Sequence, residues 1–384
     1  MPATTRAEVL VSLFSENRIA AFDETTGSYL GDFVTKGSGG ISAPAGLVFG
    51  PDGNLYVASD GSNSILRYNG STGAFIDAFV PSGSGGLARP NALEFGPDGN
   101  LYVSSSVAGG GIYRFDRTTG AFLGVFVSGG SGGLQGPNAM TFGPDQNLYV
   151  GSAPDNSVLR YNGTTGAFIN AFVPNGVGGL KAPYYGLTFD GLGHMLVGGF
   201  GSSNVVRYDA LTGTFVDSIS GGGLKGTEAV QVGPDGDLYV VSQGTQSVLR
   251  YNLSTGAFLD AFATGIGNGA VDILFTSERA GWTGVSSTSW SDSGNWSGPV
   301  PGAIIDTTNT DTAIFDRNSP NSPLTVDAGR NIQNITFDTA SVNSLTIGTV
   351  GSPSLLLTAG GTIQTTSTVV NAETINAPLV LEGD

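Results

Sequence analysis

A nine-residue phrase returning at a near-constant interval decides what this chain can fold into. FGPDGNLYV at 49–57 recurs unchanged at 95–103, then as FGPDQNLYV from 142, FDGLGHMLV from 189 and VGPDGDLYV from 232, at spacings of 46, 47, 47 and 43 residues. A second phrase keeps step with it. RYNGSTGAFIDAF from 67 is echoed from 114, 160, 207 and 250, and a sixth copy, AAFDETTGSYLGDF, begins at Ala20. Units of this length, too small to bury an apolar face alone, must stack on their neighbours.

Each unit divides into four short strands. In the second unit they are Ala45–Phe49, Leu55–Ser59, Ile65–Asn69 and Ala74–Val80, with period-two alternation and Gly, Asn, Asp or Pro between them. Pro-Asp-Gly-Asn joins the first strand to the second, and an Asn-Gly-Ser-Thr-Gly loop joins the third to the fourth. Gly and Asn suit such hairpins because they tolerate positive φ. Helix signals are absent. The six TG hairpins are preceded by only five first-strand phrases, since residues 8–34 begin at a second strand. The missing strand stands downstream as Ala270-Val271-Asp272-Ile273-Leu274-Phe275. Pairing it with the opening strand closes the ring and leaves no exposed edge at the seam. The expected fold is all-β: a six-bladed β-propeller with strand-exchange ring closure over 1–276.

Composition narrows the chemistry. With 31 Asp plus Glu against 15 Lys plus Arg, the formal charge is −16, so nucleic acid is not an expected partner. No cysteine is present and histidine occurs once, at His194, which excludes disulfides, thiol nucleophiles and multi-histidine metal centres. No run of about 18 apolar residues offers a membrane-spanning helix. The opening MPATTRAEVL lacks the apolar stretch of a secretory signal.

The G/A-L-x-F-GPDGNLYV pattern resembles NHL-type repeats, and the six-bladed closure is similar to virginiamycin B lyase and to gluconolactonase/regucalcin-like propellers. The resemblance spans 8–276 and speaks for fold, since propellers host enzymes, ligand binders and scaffolds alike. Past Thr276 the period stops, and Trp282, Trp290 and Trp296 fall within fifteen residues of a Gly- and Ser-rich connector, 277–322. From 323 to 384, short segments such as NIQNITFD and SLLLTAGGTIQT read as rungs of an incomplete parallel β-solenoid. This region resembles autotransporter-associated β-strand repeats, which implies an exported bacterial protein, extracellular or on the cell surface.

Ligands of propellers usually meet the loops at one end of the central channel. Aligning the first strands on Leu47, Leu93, Met140, Leu187, Val230 and Ile273 places Ala45, Asn91, Asn138, Tyr185, Glu228 and Val271 two residues earlier, at that mouth. Four consecutive members of this ring, Asn91, Asn138, Tyr185 and Glu228, are polar and can converge on one ligand through amide and carboxylate oxygens. The alternative is that the Asn residues cap strand starts. Arg89, Lys181 and Lys225, with Lys36, sit in the Gly-rich loops of the same end and put positive charge on its rim.

Gluconolactonase-like propellers hold a divalent metal with a carboxylate and Asn groups from different blades, and the resemblance implies the same use of Glu228, Asn91 and Asn138. No cofactor is otherwise expected. Virginiamycin B lyase-like enzymes depend on a mouth histidine; none of the ring positions holds one. His194 replaces the Asn of GPDGN at the other end and is expected to be a solvent-facing turn residue. Asp52, Asp98, Asp145 and Asp235 of the GPDG turns supply one carboxylate per hairpin, too few for calcium, and read as turn formers. Arg67, Arg114, Arg160, Arg207 and Arg250 repeat before the third-strand aromatic, and several are placed to reach the fourth-strand Asp77, Asp217 and Asp260. No catalytic set emerges. The expected role is a non-enzymatic module of an exported surface protein, binding a protein or carbohydrate partner; the alternative is a metal-assisted lactonase or lyase at the channel mouth.

Overall fold

In the computed structural model, the residues described are 8–276 except 51 and 234, and beyond them 280–281, 287–291, 312–315, 323–328, 330–337, 345–349, 351–365 and 374–381. Trp282, Trp296 and Asn295 of the connector lie outside the described residues. The chain forms two compact units, Glu8–Phe275 and the remainder.

Unit Glu8–Phe275 is six antiparallel four-stranded sheets. Blade 2 runs Pro44–Phe49, Leu55–Ser59, Ser64–Tyr68 and Phe75–Val80 from inside to outside. Blade 3 begins at Pro90–Phe95 and blade 4 at Pro137–Phe142; blade 5 begins at the short strand Leu187–Phe189 and blade 6 at Thr227–Val232. Blade 1 takes its innermost strand, Ala270–Phe275, from the far end of the unit and the other three from Glu8–Leu13, Arg18–Asp23 and Tyr29–Val34. Val9 pairs with Phe275, Leu10 with Leu274 and Val11 with Ile273, antiparallel. The expected closure and the blade count are both observed. Among the described residues the only helical segments are three-residue 3-10 turns, and none of them can cross a membrane.

The repeated residues explain the stacking. In four blades the tyrosine of the second strand is buried between two phenylalanines, one from its own outer strand and one from the inner strand of the next blade. Tyr56 meets Phe79 and Phe95 with centroids at 4.9 and 5.2 Å; Tyr149 meets Phe172 and Phe189 at 4.9 and 5.1 Å. Edge-on packing of this kind suits the ring quadrupoles and seals one blade to the next. The turn aspartates are indeed turn formers. Asp145 accepts the Asn147 backbone N–H at 3.0 Å, the Asn147 amide at 2.7 Å and the Tyr149 hydroxyl at 3.0 Å. The Gly-rich loops are anchored too. Tyr161 donates its hydroxyl to the Ser131 carbonyl at 2.8 Å, and Gly132, at φ +60°, leaves the space that the Phe168 ring occupies.

The second unit contains a parallel sheet ordered Ala280–Gly281, Thr312–Phe315, Asn331–Phe337, Leu355–Thr365 and Leu379–Leu381. Its register stacks like on like: Ala313 beside Ile335 beside Ile363, with Phe315 stacked on Phe337 at 5.2 Å. Trp290 is fully buried in the same core. Such in-phase parallel rungs are consistent with the beginning of a solenoid.

Candidate ligand-binding site

The mouth of the ring unit is built from two columns of residues, one per blade. The first lies two residues before the aligned core residue of each inner strand, as expected from the sequence. The second is the residue immediately after each second strand: Phe14, Asp60, Ser106, Ala153, Phe200 and Gln243. Strand alternation and the ring geometry bring the two columns together. A cavity of about 350 Å³ is lined by Asn91, Asn138, Tyr185, Glu228 and Val271 from the first column and by Phe14, Ser106 and Gln243 from the second, with Arg89 and Tyr184 beside them. The sixth member of the first column, Ala45, is buried and stands apart from this lining.

Within the cavity the polar groups bind each other across blades. The Asn91 amide donates to the Asn138 side-chain oxygen at 3.0 Å, so these amides couple two blades and do not cap their own strands. Gln243 donates to Glu228 Oε1 at 3.1 Å. Arg89 lies across Asp60, Nε to Oδ2 at 3.1 Å, and is itself held by its backbone N–H on the Asn63 side chain at 2.8 Å. Two acceptors are left over. Glu228 Oε2 and Asn91 Oδ1 are buried and have no hydrogen-bond partner. Leaving such atoms unpaired costs about 1–3 kcal/mol each.

Burial dominates the electrostatics here. It pushes the Glu228 carboxyl up to about 9, which favours the neutral acid at pH 7. Burial likewise raises the Tyr185 phenol, with the Glu228 charge adding to it and the Asn91 side chain opposing it. Asp60 is raised by burial against the pull of Arg89. Two further carboxyls serve the ring's own architecture. Asp272 accepts the Leu47 backbone N–H of the next blade at 2.8 Å, and Glu94 accepts that of Phe142 at 3.2 Å. Burial lifts them to about 7 and about 8, against those hydrogen bonds. They occupy the edge of the inner strands, where free N–H groups need acceptors.

Other expected residues lie elsewhere. Lys181 and Lys225 are exposed and contribute nothing to the cavity wall; the stem of Lys225 packs beside Gly244. His194 is not a free turn residue. It opens the second strand of blade 5, half-buried, with Nδ1 2.7 Å from Asp190 Oδ2. Asp190 replaces the glycine of the GPDG turn and is fully buried at its side chain. It also accepts backbone N–H groups from Leu192 and His194, so the pair rebuilds a turn that lost its usual residues. The second-column residues were not singled out from the sequence. The signal was available: a serine ends the second strand at Ser59, Ser105, Ser152 and Ser242, and the residue following it varies while its surroundings repeat.

The sequence family described as SMP-30/Gluconolactonase/LRE-like region matches residues 14–244. The chain belongs to this family. No curated protein matches the SMP-30/gluconolactonase-like chain. Among solved structures it is similar to a chain of a nidogen/laminin complex, 16% identical with TM-score 0.58, covering 70% of this chain and 98% of that one. It is similar to a gluconolactonase from Xanthomonas campestris, 16% identical, TM-score 0.50, covering 61% and 79%. It is also similar to a virginiamycin B lyase from Staphylococcus aureus, 14% identical, TM-score 0.47, covering 72% and 93%. At these identities the likenesses concern the fold.

The family implies a divalent metal at the mouth, and the residues fit one in type. Every free donor is oxygen, as a hard cation requires, and Glu228 Oε2 and Asn91 Oδ1 lack partners. Asn138 Oδ1 is already engaged by Asn91. No cluster of three or more His, Asp or Glu occurs among the described residues, and Glu228 is the one carboxyl among Glu228, Asn91 and Asn138.

Proposed function

We propose that this propeller binds a small polyhydroxylated ligand of the carbohydrate class at its channel mouth without transforming it. The observation that carries this reading is the pair of buried, unpartnered oxygens, Glu228 Oε2 and Asn91 Oδ1, in the wall of one cavity. A ligand hydroxyl donates to Asn91 Oδ1 and accepts a hydrogen bond from the neutral Glu228 carboxyl, while Arg89 and Gln243 supply further donors for its oxygens. Tyr184, tilted against Phe200 at 5.2 Å, provides an aromatic face at the same wall. A cavity of about 350 Å³ lies at the small end of the usual ligand-pocket range. The exported, surface-displayed setting suggested by the second unit is part of this reading.

The test is calorimetric titration with a panel of mono- and disaccharides, on the wild type and on Glu228→Gln and Asn91→Leu. Binding weakened about tenfold or more in each variant supports the site, since a lost hydrogen bond to a buried group is worth about 1–3 kcal/mol. Absence of saturable binding to the wild type, or equal affinity in all three proteins, removes it.

A second reading is favoured by the family and by the all-oxygen donor set: a metal-assisted lactonase or lyase. Glu228 and Asn91 would hold the cation, which polarises a substrate oxygen when bound. Tyr185 and Asn138 position the substrate in this reading, and the burial that neutralises Glu228 makes cation uptake release a proton. Calcium and magnesium titration with pH-stat detection distinguishes the two. Metal-dependent lactone opening in the wild type, lost in Glu228→Gln, replaces the binding role with an enzymatic one.

A further inference from the structure

The repeat compares itself with itself, and one comparison singles out blades 3 and 4. Five blades carry an arginine on the third strand at the same place. In blades 2, 5 and 6 it faces an outer-strand aspartate across the ladder: Arg67 with Asp77, Arg207 with Asp217 and Arg250 with Asp260. The pairing is close. Arg67 meets both carboxylate oxygens, at 3.1 and 2.5 Å, and Arg207 does so at 2.5 Å for each. The planar guanidinium edge and the carboxylate match as a fork.

In blades 3 and 4 the same register position holds Gly124 opposite Arg114 and Asn170 opposite Arg160. Each arginine keeps the turn aspartate on its other side, Asp98 or Asp145, at 3.6 Å, and lies over a phenylalanine ring, Phe126 at 5.9 Å or Phe172 at 5.2 Å. The edge that grips an aspartate with two contacts in blades 2 and 5 has none here; Arg160 Nε is buried without an acceptor, as is Arg250 Nε in blade 6, where Asp260 meets Nη2 alone. Above Gly124 the space is open, with no atom within 4 Å of where a side chain would begin. Three blades thus set an aspartate opposite this arginine, and two adjacent blades set a glycine or an asparagine there.

The outer strands agree. Four of the six carry an aspartate, Asp32, Asp77, Asp217 and Asp260, whereas Phe122–Val127 (FLGVFV) and Phe168–Val173 (FINAFV) carry no charge. A charge is a usual guard of an unpaired strand edge against pairing with another chain. Phe122, Leu123, Val125, Phe168 and Ile169 are each about two-fifths to one-half exposed along these unguarded strands.

We propose that the outer rim of blades 3 and 4 is a docking surface for an extended acidic peptide, whose carboxylates enter the forks of Arg114 and Arg160 in place of the missing aspartates. The chemistry is charge complementarity at two points with apolar contact between them. A peptide fits better than an acidic polysaccharide because the strands offer backbone N–H and C=O groups and exposed aromatic and aliphatic side chains, the usual terms of strand addition.

The experiment uses the full chain and a labelled ten-residue peptide alternating Glu with Val, its Gln-for-Glu counterpart, and polygalacturonate. Binding is followed by fluorescence anisotropy at 0.15 M salt. Two variants carry the test: Arg114→Gln combined with Arg160→Gln, and Arg114→Gln combined with Asn170→Asp, which closes the second fork from within. The expected result is saturable binding of the Glu peptide to the wild type, at least tenfold weaker for the Gln peptide and for both variants, with circular dichroism and Tm retained. Three results each overturn the proposal: equal affinity for the two peptides, undiminished binding to the Asn170→Asp combination, and binding of polygalacturonate alone.

Discussion

The two ends of the propeller are made from the same repeat and behave in opposite ways. At the hairpin end each turn aspartate is engaged by its own turn, its neighbour tyrosine and an arginine, and the pattern recurs blade after blade. At the mouth the repeat is lost: Asn91, Asn138, Tyr185 and Glu228 follow one another, with the two asparagines paired across blades, Glu228 held by Gln243 and two oxygens left over. Repetition with every turn aspartate engaged is what a ring needs in order to close. Irregularity with buried, unpaired acceptors lowers stability and is retained where something else is gained, which is the argument for a ligand at that end.

The sharpest way to break the contrast is to remove one repeated contact at the hairpin end and one irregular contact at the mouth. Tyr149→Ala removes a ring packed between Phe172 and Phe189 and one of the hydrogen bonds that Asp145 accepts. The expected loss is about 3–5 kcal/mol of unfolding free energy, read by chemical denaturation. Asn91→Leu at the mouth deletes an orphaned acceptor along with one hydrogen bond, and is expected to change stability by less than about 1 kcal/mol. If the mouth variant costs as much as the tyrosine, the mouth is structural and the contrast is lost.

The ends also respond to pH with opposite sign. Glu228 is raised by burial from 4.5 to about 9, so between those values the unfolded chain has released a proton that the folded ring still holds. Stability therefore falls as pH rises through that window, by at most about 1.4 kcal/mol per pH unit. Glu228→Gln is expected to flatten the slope and to leave the protein more stable than the wild type at pH 9, by more than about 1 kcal/mol. Asp145 runs the other way. Burial pushes it up, but the Asn147 and Tyr149 hydrogen bonds and the Arg160 charge outweigh that and hold it below its ordinary value. Its contribution is present above the unfolded pKa and is lost as pH falls through the folded one. Melting curves from pH 4 to 9 on the wild type and Glu228→Gln separate the two; parallel curves for both proteins would show that Glu228 is not the group responsible.

What the sequence disclosed follows the same division. Blade number, seam and turn roles were readable because each is written five or six times, and a hairpin phrase such as GPDGN has one local solution. The first mouth column was readable because it lies at a fixed offset from a recurring core residue. The second column, with Phe14, Ser106 and Gln243, was not, because each of its residues occurs once and only the closed ring shows that it faces the first. Arg89 and Lys225 look alike as loop cations, yet only Arg89 meets a buried carboxylate, Asp60. His194 was misjudged for the same reason. Its partner Asp190 departs from the repeat at one position, and the two departures make sense only together.

Smaller effects sharpen the hairpin end itself. Asp145→Ala removes an acceptor of three hydrogen bonds in a partly exposed turn and is expected to cost about 1 kcal/mol. The smallest effect is expected where one blade is edited toward another. Asn170→Asp gives blade 4 the aspartate of blades 2, 5 and 6 opposite Arg160. Because the new pair is partly exposed, the gain is about 0.5 kcal/mol and shrinks with added salt. A double-mutant cycle with Arg160→Gln isolates it: a coupling near zero at low salt would mean that the guanidinium is turned away from the outer strand, and that the resemblance among the blades does not extend to this fork.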